Sequence, residues 1–407
     1  MQTGKADHGY LLSYGLPFLK EEQNLKFLHL SDLHIGKRVY GFSMLEDQSY
    51  ILSRILEIAA REKPDGVILA GDIYDKAVPS AEAVRLMDEF LMALAREGIR
   101  IFMVSGNHDS PERIAFGSEL MKKNEVYVSP VYDGKISHIK MEDEYGTVTV
   151  WLLPFIKPAI VRHVFPDQEI ETYQDAVRTV LQHIRIDTAE RNILVAHQFV
   201  TGAARCESEE LFVGGIDNVD ASLFDRFDYT ALGHIHSPQQ IGRPEVCYCG
   251  TPLKYSFSEA GQVKTVTVLE LYEKGVTKLR RIPLVPLRDM RKLRGSYMEV
   301  TDRSFYINSN REDYLQITLT DEEDIPDGML KLRAIYPNLM RLEYDNKRTS
   351  MDQEIDGGRP KEQKTELELF EEFFALQNNR PMSTEQRAYS KKLLEELKEQ
   401  GFKEVEG

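Results

Sequence analysis

Five apolar runs in this chain stop on the same kind of residue, and that repeated ending constrains the fold more than any other feature. "KFLHL" runs into Asp32 and His34, and "GVILA" into Gly71-Asp72. "IFMVS" runs into Gly106-Asn107-His108-Asp109, "NILVA" into His197, and "DYTAL" into Gly233-His234-Ile235-His236. A buried polar side chain costs free energy unless it is paired or holds something. In open α/β sheets, ligand sites gather at the carboxyl ends of strands. Five such ends bearing oxygen and nitrogen donors therefore point to one shared site. Residues two apart in extended chain face the same way, so Asp32 with His34, and His234 with His236, can aim at one cavity. Imidazole, carboxylate and amide donors without thiolate suit Mn2+, Fe2+ or Zn2+. This many donors exceeds what one catalytic metal with an open position needs. They suit two ions about 3.5–4 Å apart that share a carboxylate.

Between these runs the period changes. Helical spacing marks residues 43–61, 80–96, 112–122 and 173–186, with Ser80 as an N-cap after Pro79. Further strands are expected at 147–153 and 264–271. Strands alternating with helices give an α/β class. Helix content falls after Thr188, which implies a second sheet rather than one uniform doubly wound sheet. Beyond Pro283, "YLQITL" and a helix near 327–335 read as a small α+β domain. Residues 345–364 read as a polar linker with Gly357, Gly358 and Pro360. Two amphipathic helices follow, the second opening on Ser383 with Gln386 three residues on, a capping-box pattern.

No run approaches the roughly 18 apolar residues of a membrane span. The stretch "LLSYGLPFL" near the start is broken by Gly15 and Pro17 and does not read as a secretory leader, which leaves the cytoplasm as the expected compartment. Cys206, Cys247 and Cys249 are too few for a disulfide framework and read as reduced thiols. The formal net charge of −15 argues against a simple basic groove for nucleic acid. Metal ions, a partner or the local cluster Arg280, Arg281, Arg288, Arg291, Lys292 and Arg294 would have to supply positive potential.

The strand-end residues, in the order D-x-H, G-D, G-N-H-D, H, G-H-x-H, resemble the calcineurin-like metallophosphoesterase superfamily. The surrounding sequence narrows this. "FLHLSDLHIGK", "GDIYDKAVPS", "GNHDSPER", "YTALGHIHSPQ", "YCGTPLKYSFSE" and "PLRDMRKLRG" resemble the SbcD family, the nuclease subunits of bacterial SbcCD complexes. The likeness runs from about Leu25 to the C-terminal helices. It implies an α/β fold with a two-sheet core flanked by helices, a small α+β capping domain and a C-terminal helix-loop-helix. The expected divisions are a nuclease domain over 25–282, a DNA-binding cap over 283–344, the linker, and a helix pair over 365–400. Residues 1–24 have no counterpart in the resemblance, and a start at Leu25 is the alternative.

The resemblance also assigns roles. One metal would take Asp32, His34, Asp72 and His236, and the other Asp72, Asn107, His197 and His234, with Asp72 bridging. Mn2+ is the implied metal. His108 would stay off the metals and face the scissile phosphate, with Asp109 orienting it. Archaeal and eukaryotic relatives place a second phosphate-facing His three residues after the bridging Asp. Here that position is Asp75, and no catalytic role carries over to it. The implied activity is ATP-dependent double-strand exonuclease and single-strand or hairpin endonuclease action on DNA in recombination, replication and repair, at the nucleoid. The implied partners are DNA and the SbcC ATPase, bound through the C-terminal helices, with a homodimer inside a heterotetramer. Two alternatives are a small-molecule phosphoesterase on the same fold and a non-catalytic scaffold. The domain and helix pair after the catalytic region argue against the first, and the complete donor set against the second.

Overall fold

The computed structural model describes residues 24–209, 218–346, 367, 370, 371, 374 and 382–403. The extension expected over 1–24, apart from Asn24, lies outside these residues. So do most of the linker expected over 345–364 and most of the first C-terminal helix.

In chain order the strands are β1 (Leu25–Leu30), β2 (Arg38–Val39), β3 (Phe42–Ser43), β4 (Gly66–Ala70), β5 (Arg100–Val104), β6 (Val126–Val128), β7 (Ser137–Asp143) and β8 (Gly146–Leu153). They continue with β9 (Arg191–His197), β10 (Tyr229–Gly233), β11 (Gln239–Ile241), β12 (Arg243–Tyr248), β13 (Thr265–Leu271), β14 (Thr277–Pro283), β15 (Met290–Gly295), β16 (Tyr314–Leu319) and β17 (Leu339–Tyr344). Two sheets of six strands form the core, in the orders β14-β13-β1-β4-β5-β6 and β11-β12-β10-β9-β8-β7. Strands β15, β16 and β17 make a separate three-stranded sheet, and β2 with β3 a short hairpin.

Strands β1, β4 and β5 lie parallel because two helices, α1 (Leu45–Glu62) and α2 (Ala81–Arg96), carry the chain back between them. Every residue of β4 is buried, as expected for a parallel strand covered on both faces. α1 buries Ile51, Leu52, Ile55, Ile58 and Ala59 on one side. α2 begins where expected, with the Ser80 hydroxyl accepting from the Ala83 amide at 3.3 Å. Phe27, Ile68 and Phe102 of the first sheet share one core with Val150, Val195 and Tyr229 of the second. Each such side chain contributes roughly 1.5–3 kcal/mol by leaving water. The sheets therefore face each other, with helices outside. The parallel strands β1, β4 and β5 of one sheet and β9 and β10 of the other are the five that end in polar residues.

Two expected helices are shorter in the structure. Residues 112–122 form two single turns, Pro111–Ile114 and Ser118–Met121, because Gly117 between them takes a left-handed φ of 73°. The helix from Tyr173 ends at Gln182, where the ring of His183 turns back to donate from Nδ1 to the Thr179 carbonyl at 2.7 Å. Strand β16 occupies the six residues of "YLQITL".

The chain divides into two compact units. The first comprises residues up to Arg294 with Met298–Thr318 and Asp327–Glu343. The second comprises Gly295–Tyr297, Leu319–Pro326 and the residues from Tyr344 on. In the second unit, Ser383 and Gln386 form both halves of a capping box at the helix Thr384–Lys403, at 3.0 and 3.2 Å. No helix among the described residues is long and apolar enough to cross a membrane.

Candidate metal centre

The strand ends converge by leaving extended conformation, not by continuing it. β1 stops at Leu30, and both Asp32 (φ 53°) and His34 (φ 44°) adopt left-handed backbone. Asp72 (φ 48°) and His234 (φ 99°) also have positive φ. Such conformations are costly for residues other than glycine, and they concentrate at functional sites. The two-residue periodicity of a strand is thus not what aims Asp32 and His34 inward; the alternating left-handed turns are. Backbone bonds lock the first two loops side by side: Asp32 N–H to Gly71 O at 3.0 Å, and His34 N–H to Asp72 O at 2.9 Å. Glycine allows the remaining loops to close in. A Cβ on Gly106 would overlap the Asp72 carboxylate, and one on Gly233 the Ala70 carbonyl oxygen.

All seven expected donors meet in this cluster. His34 Nε2 lies 3.2 Å from His236 Nε2 and 3.6 Å from Asp72 Oδ2. His197 Nε2 lies 3.3 Å from Asp72 Oδ2 and 3.0 Å from Asn107 Oδ1, which is also 3.0 Å from His234 Nδ1. Asp32 accepts the His234 amide at 3.0 Å and the Ser31 hydroxyl. Asp32, His34 and His236 form one compact donor set, Asp32, Asp72 and His197 another, and His34, Asp72 and His108 a third.

The outer ring nitrogens show which atoms point inward. His197 Nδ1 donates to the Ala70 carbonyl at 2.8 Å, so in the neutral ring Nε2 presents a lone pair to Asp72 and Asn107, both acceptors. The Ser208 hydroxyl donates to Glu259 at 2.6 Å and accepts from His236 Nδ1 at 2.7 Å. His236 Nε2 is therefore a lone pair facing His34 Nε2. With Nδ1 engaged outward on both rings, the Nε2 atoms of His197 and His236 are the ones directed into the cluster, beside the Asp72 carboxylate and the His34 ring. The residues present fit a metal.

Protonation follows the same logic. Burial pushes the His34 and His236 rings well below the ordinary imidazole value, and His234 down to about 3, leaving them in the neutral, metal-binding form. Burial drives the Asp32 carboxyl up to about 7, opposed by His197 and reinforced by Asp72. Burial also works against the Asp72 carboxylate, but the surrounding His197, His34 and His108 hold it well below the usual range. Against burial, the Asp72 carboxylate raises His197 to about 9.

His108 sits at the rim. Its ring lies edge-on to His34 with centroids 4.9 Å apart, its Nε2 is 3.9 Å from Asp72 Oδ2, and its amide donates to Asp72 Oδ1 at 2.9 Å. Its side chain is 17% exposed, against 0–3% for His34, Asp72 and His197. Asp109 is buried, and its two oxygens accept from the amides of Ile73 (3.1 Å), Tyr74 (2.9 Å) and Gly106 (2.9 Å). Asp75 pairs with Lys37 at 2.8 Å and faces His34 Nδ1 at 3.8 Å.

Sequence reasoning missed the layer behind the donors. Gln48 is buried and donates to the His34 carbonyl at 2.7 Å and to Tyr255 Oη at 3.0 Å. Lys264 joins Glu259 at 2.5 Å and the His236 carbonyl at 2.9 Å, and Glu209 accepts the His236 amide at 2.7 Å. Tyr255 and Glu259 stand in the conspicuous stretch "YCGTPLKYSFSE", the one signal that could have marked them. Of the expected basic cluster, Arg280 pairs with Glu62, Arg288 with Glu46 and Asp47, and Arg291 with Asp313.

The profile of the calcineurin-like phosphoesterase family matches residues 25–238. A second profile, described as the type 5 capsule protein repressor C-terminal domain, matches 286–378. The SbcD component of the SbcCD nuclease of Staphylococcus epidermidis is 36% identical over 322 residues, covering 78% of this chain and 85% of that protein. Its counterpart in Staphylococcus saprophyticus is 33% identical over 384 residues, covering 93% and 100%. The chain belongs to the SbcD family of calcineurin-like phosphoesterases. This SbcD-family chain is a metal-dependent phosphodiester hydrolase whose His/Asp cluster is suited to a dinuclear site. Among solved structures, a dimetal phosphatase from Danio rerio aligns with a TM-score of 0.37 at 12% identity, covering 64% of this chain and 99% of that one.

Proposed function

We propose that this member of the SbcD family is a Mn2+-dependent DNA nuclease that cuts double-stranded ends and hairpins in recombination, replication and repair together with an SbcC-type ATPase. The observation that carries the reading is the set of inward-facing donors at five strand ends, roofed by one partly exposed histidine. Asp32, His34, Asp72 and His236 would hold one ion, and Asp72, Asn107, His197 and His234 the other. When bound, two divalent ions neutralise a phosphodiester's charge and make water a competent nucleophile at neutral pH.

The chain's own residues do the rest. His108, more exposed than the donors beside it, stands where a leaving oxygen can take a proton from its Nε2. Its backbone amide donates to the Asp72 carboxylate, which ties the His108 backbone to the cluster. Asp109 acts one step removed: by accepting from Ile73, Tyr74 and Gly106 it holds the Asp72 and His108 loops together, which orients His108 through the backbone. Burial keeps the His34, His234 and His236 rings neutral and ready to bind a cation, while at His197 a cation would replace a proton.

Residues 283–344 serve as the cap on the DNA side, and the helices near the C-terminus as the ATPase contact. Tyr389 and Leu393 are 66% and 40% exposed there, and with Phe370, Phe374 and Met382 they line an apolar hollow that suits a partner helix. The test is cleavage of duplex and hairpin DNA by the full chain with its ATPase, ATP and Mn2+. Cleavage that stops on chelation is expected. Turnover of small phosphodiesters with no action on DNA would favour a small-molecule enzyme instead.

A further inference from the structure

The hairpin that follows the first metal-site motif carries a conformational anomaly outside the donor cluster. Val39 pairs with Phe42, leaving Tyr40-Gly41 as a two-residue turn. Both residues have positive φ, 47° at Tyr40 and 85° at Gly41. A turn of this type favours Asn or Asp followed by Gly, and a bulky aromatic at its first position is strained. The flanking residues explain how the strain is tolerated. Val39 is buried, and Phe42 packs edge-on to Tyr314 with centroids 6.0 Å apart. The hairpin is anchored on both sides while Tyr40 is held out, 46% exposed.

Tyr40 is not loose. Its ring lies over the buried Phe257, centroids 5.5 Å apart and planes inclined by 36°. Its hydroxyl is 3.5 Å from the guanidinium of Arg341. Arg38, exposed in the same hairpin, caps the turn through the Gly41 carbonyl. The platform also connects to the metal centre. Two residues before Phe257, Tyr255 packs against His34 at 5.9 Å and His236 at 6.4 Å, with Lys37 Nζ 5.5 Å from its centroid. Tyr40, on the segment that follows His34, presents an outward aromatic face backed by a second ring, with the Arg341 guanidinium, itself paired with Glu343 at 2.6 Å, at its hydroxyl, and such a face is what an unpaired base stacks on.

We infer that Tyr40, backed by Phe257 and flanked by Arg341, is a stacking platform for an unpaired nucleobase of the strand entering the metal centre. The inference rests on the nuclease reading and deepens it. Backbone strain at Tyr40 is the cost of presenting the ring. It also means that a residue suited to the turn should improve stability while removing the platform.

The test uses the full chain and a hairpin oligonucleotide with 2-aminopurine in its loop, titrated with Ca2+ in place of Mn2+ to slow cleavage. Wild type and Tyr40→Phe are expected to quench the fluorescence alike. Tyr40→Asn is expected to lose the quenching and to bind roughly ten- to hundredfold more weakly. Its unfolding temperature should equal or exceed wild type, because Asn suits the position. With Mn2+ it should raise KM at unchanged kcat. Quenching by Tyr40→Asn equal to wild type, or no quenching by wild type, overturns the platform. Failure of wild type to cut the hairpin with Mn2+ counts separately against the nuclease reading.

Discussion

Asp72 sits within 4 Å of three imidazoles, and against burial its carboxylate raises His197 to about 9, so a bound metal would have to displace a proton there. The two kinds of residue in the cluster should therefore fail differently. Asp72→Ala should lose bound metal by elemental analysis. His108→Ala should keep its metal and lose about 10²–10⁴-fold in turnover, the range expected for a general acid. Near-normal cleavage by His108→Ala would remove it from the chemistry. A second residue-scale effect concerns stability. His29, buried between the sheets against Tyr229 Oη at 2.9 Å, has its pKa lowered to about 3, chiefly by burial. An unfolded histidine takes a proton near 6.5, so as pH falls through the window from 6.5 to 3 the unfolded state gains a proton that the folded state refuses. Stability from this residue is complete above that window and falls by about 1.4 kcal/mol one unit below 6.5. Thermal unfolding of His29→Gln should show a shallower acid decline than wild type; identical slopes would contradict this. The donors themselves were legible as residue types. Their left-handed conformations were not, because nothing in D-x-H alone distinguishes an extended pair from two turns.

Among the elements, strands read more truly than helices. Apolar runs bounded by Gly and polar residues gave β1, β4, β5, β9 and β10 to within two residues, because burial on both faces leaves few other readings. The stretch near 112–122 failed because Gly117 breaks a spacing that looked continuous. Ser208 and Glu259 went unseen as supports because short irregular segments carry no period to mark an inward face. The loops also impose the tightest packing. Gly233 ends β10 against the Ala70 carbonyl that fixes the His197 ring. Gly233→Ala should lose metal and cost about 1–3 kcal/mol through overpacking. Thermal unfolding and metal content check both together, and wild-type values for each would show that the strand ends have room to spare.

For the whole molecule, the formal charge of −15 makes the location of positive potential the main problem for a DNA enzyme. Arg280, Arg288 and Arg291 are committed to carboxylates of the protein, and on the proposed nuclease reading bound cations and a partner would supply much of that potential. A chain truncated after Tyr344 should keep metal binding and lose association with the ATPase, measurable by co-elution; retained association would place that contact elsewhere. The most direct test of the account is a crystal of the full chain soaked in Mn2+ and measured for anomalous scattering. Two peaks roughly 3.5–4 Å apart, with Asp72 between them, are expected. A single peak, or peaks away from the seven donors, would contradict it.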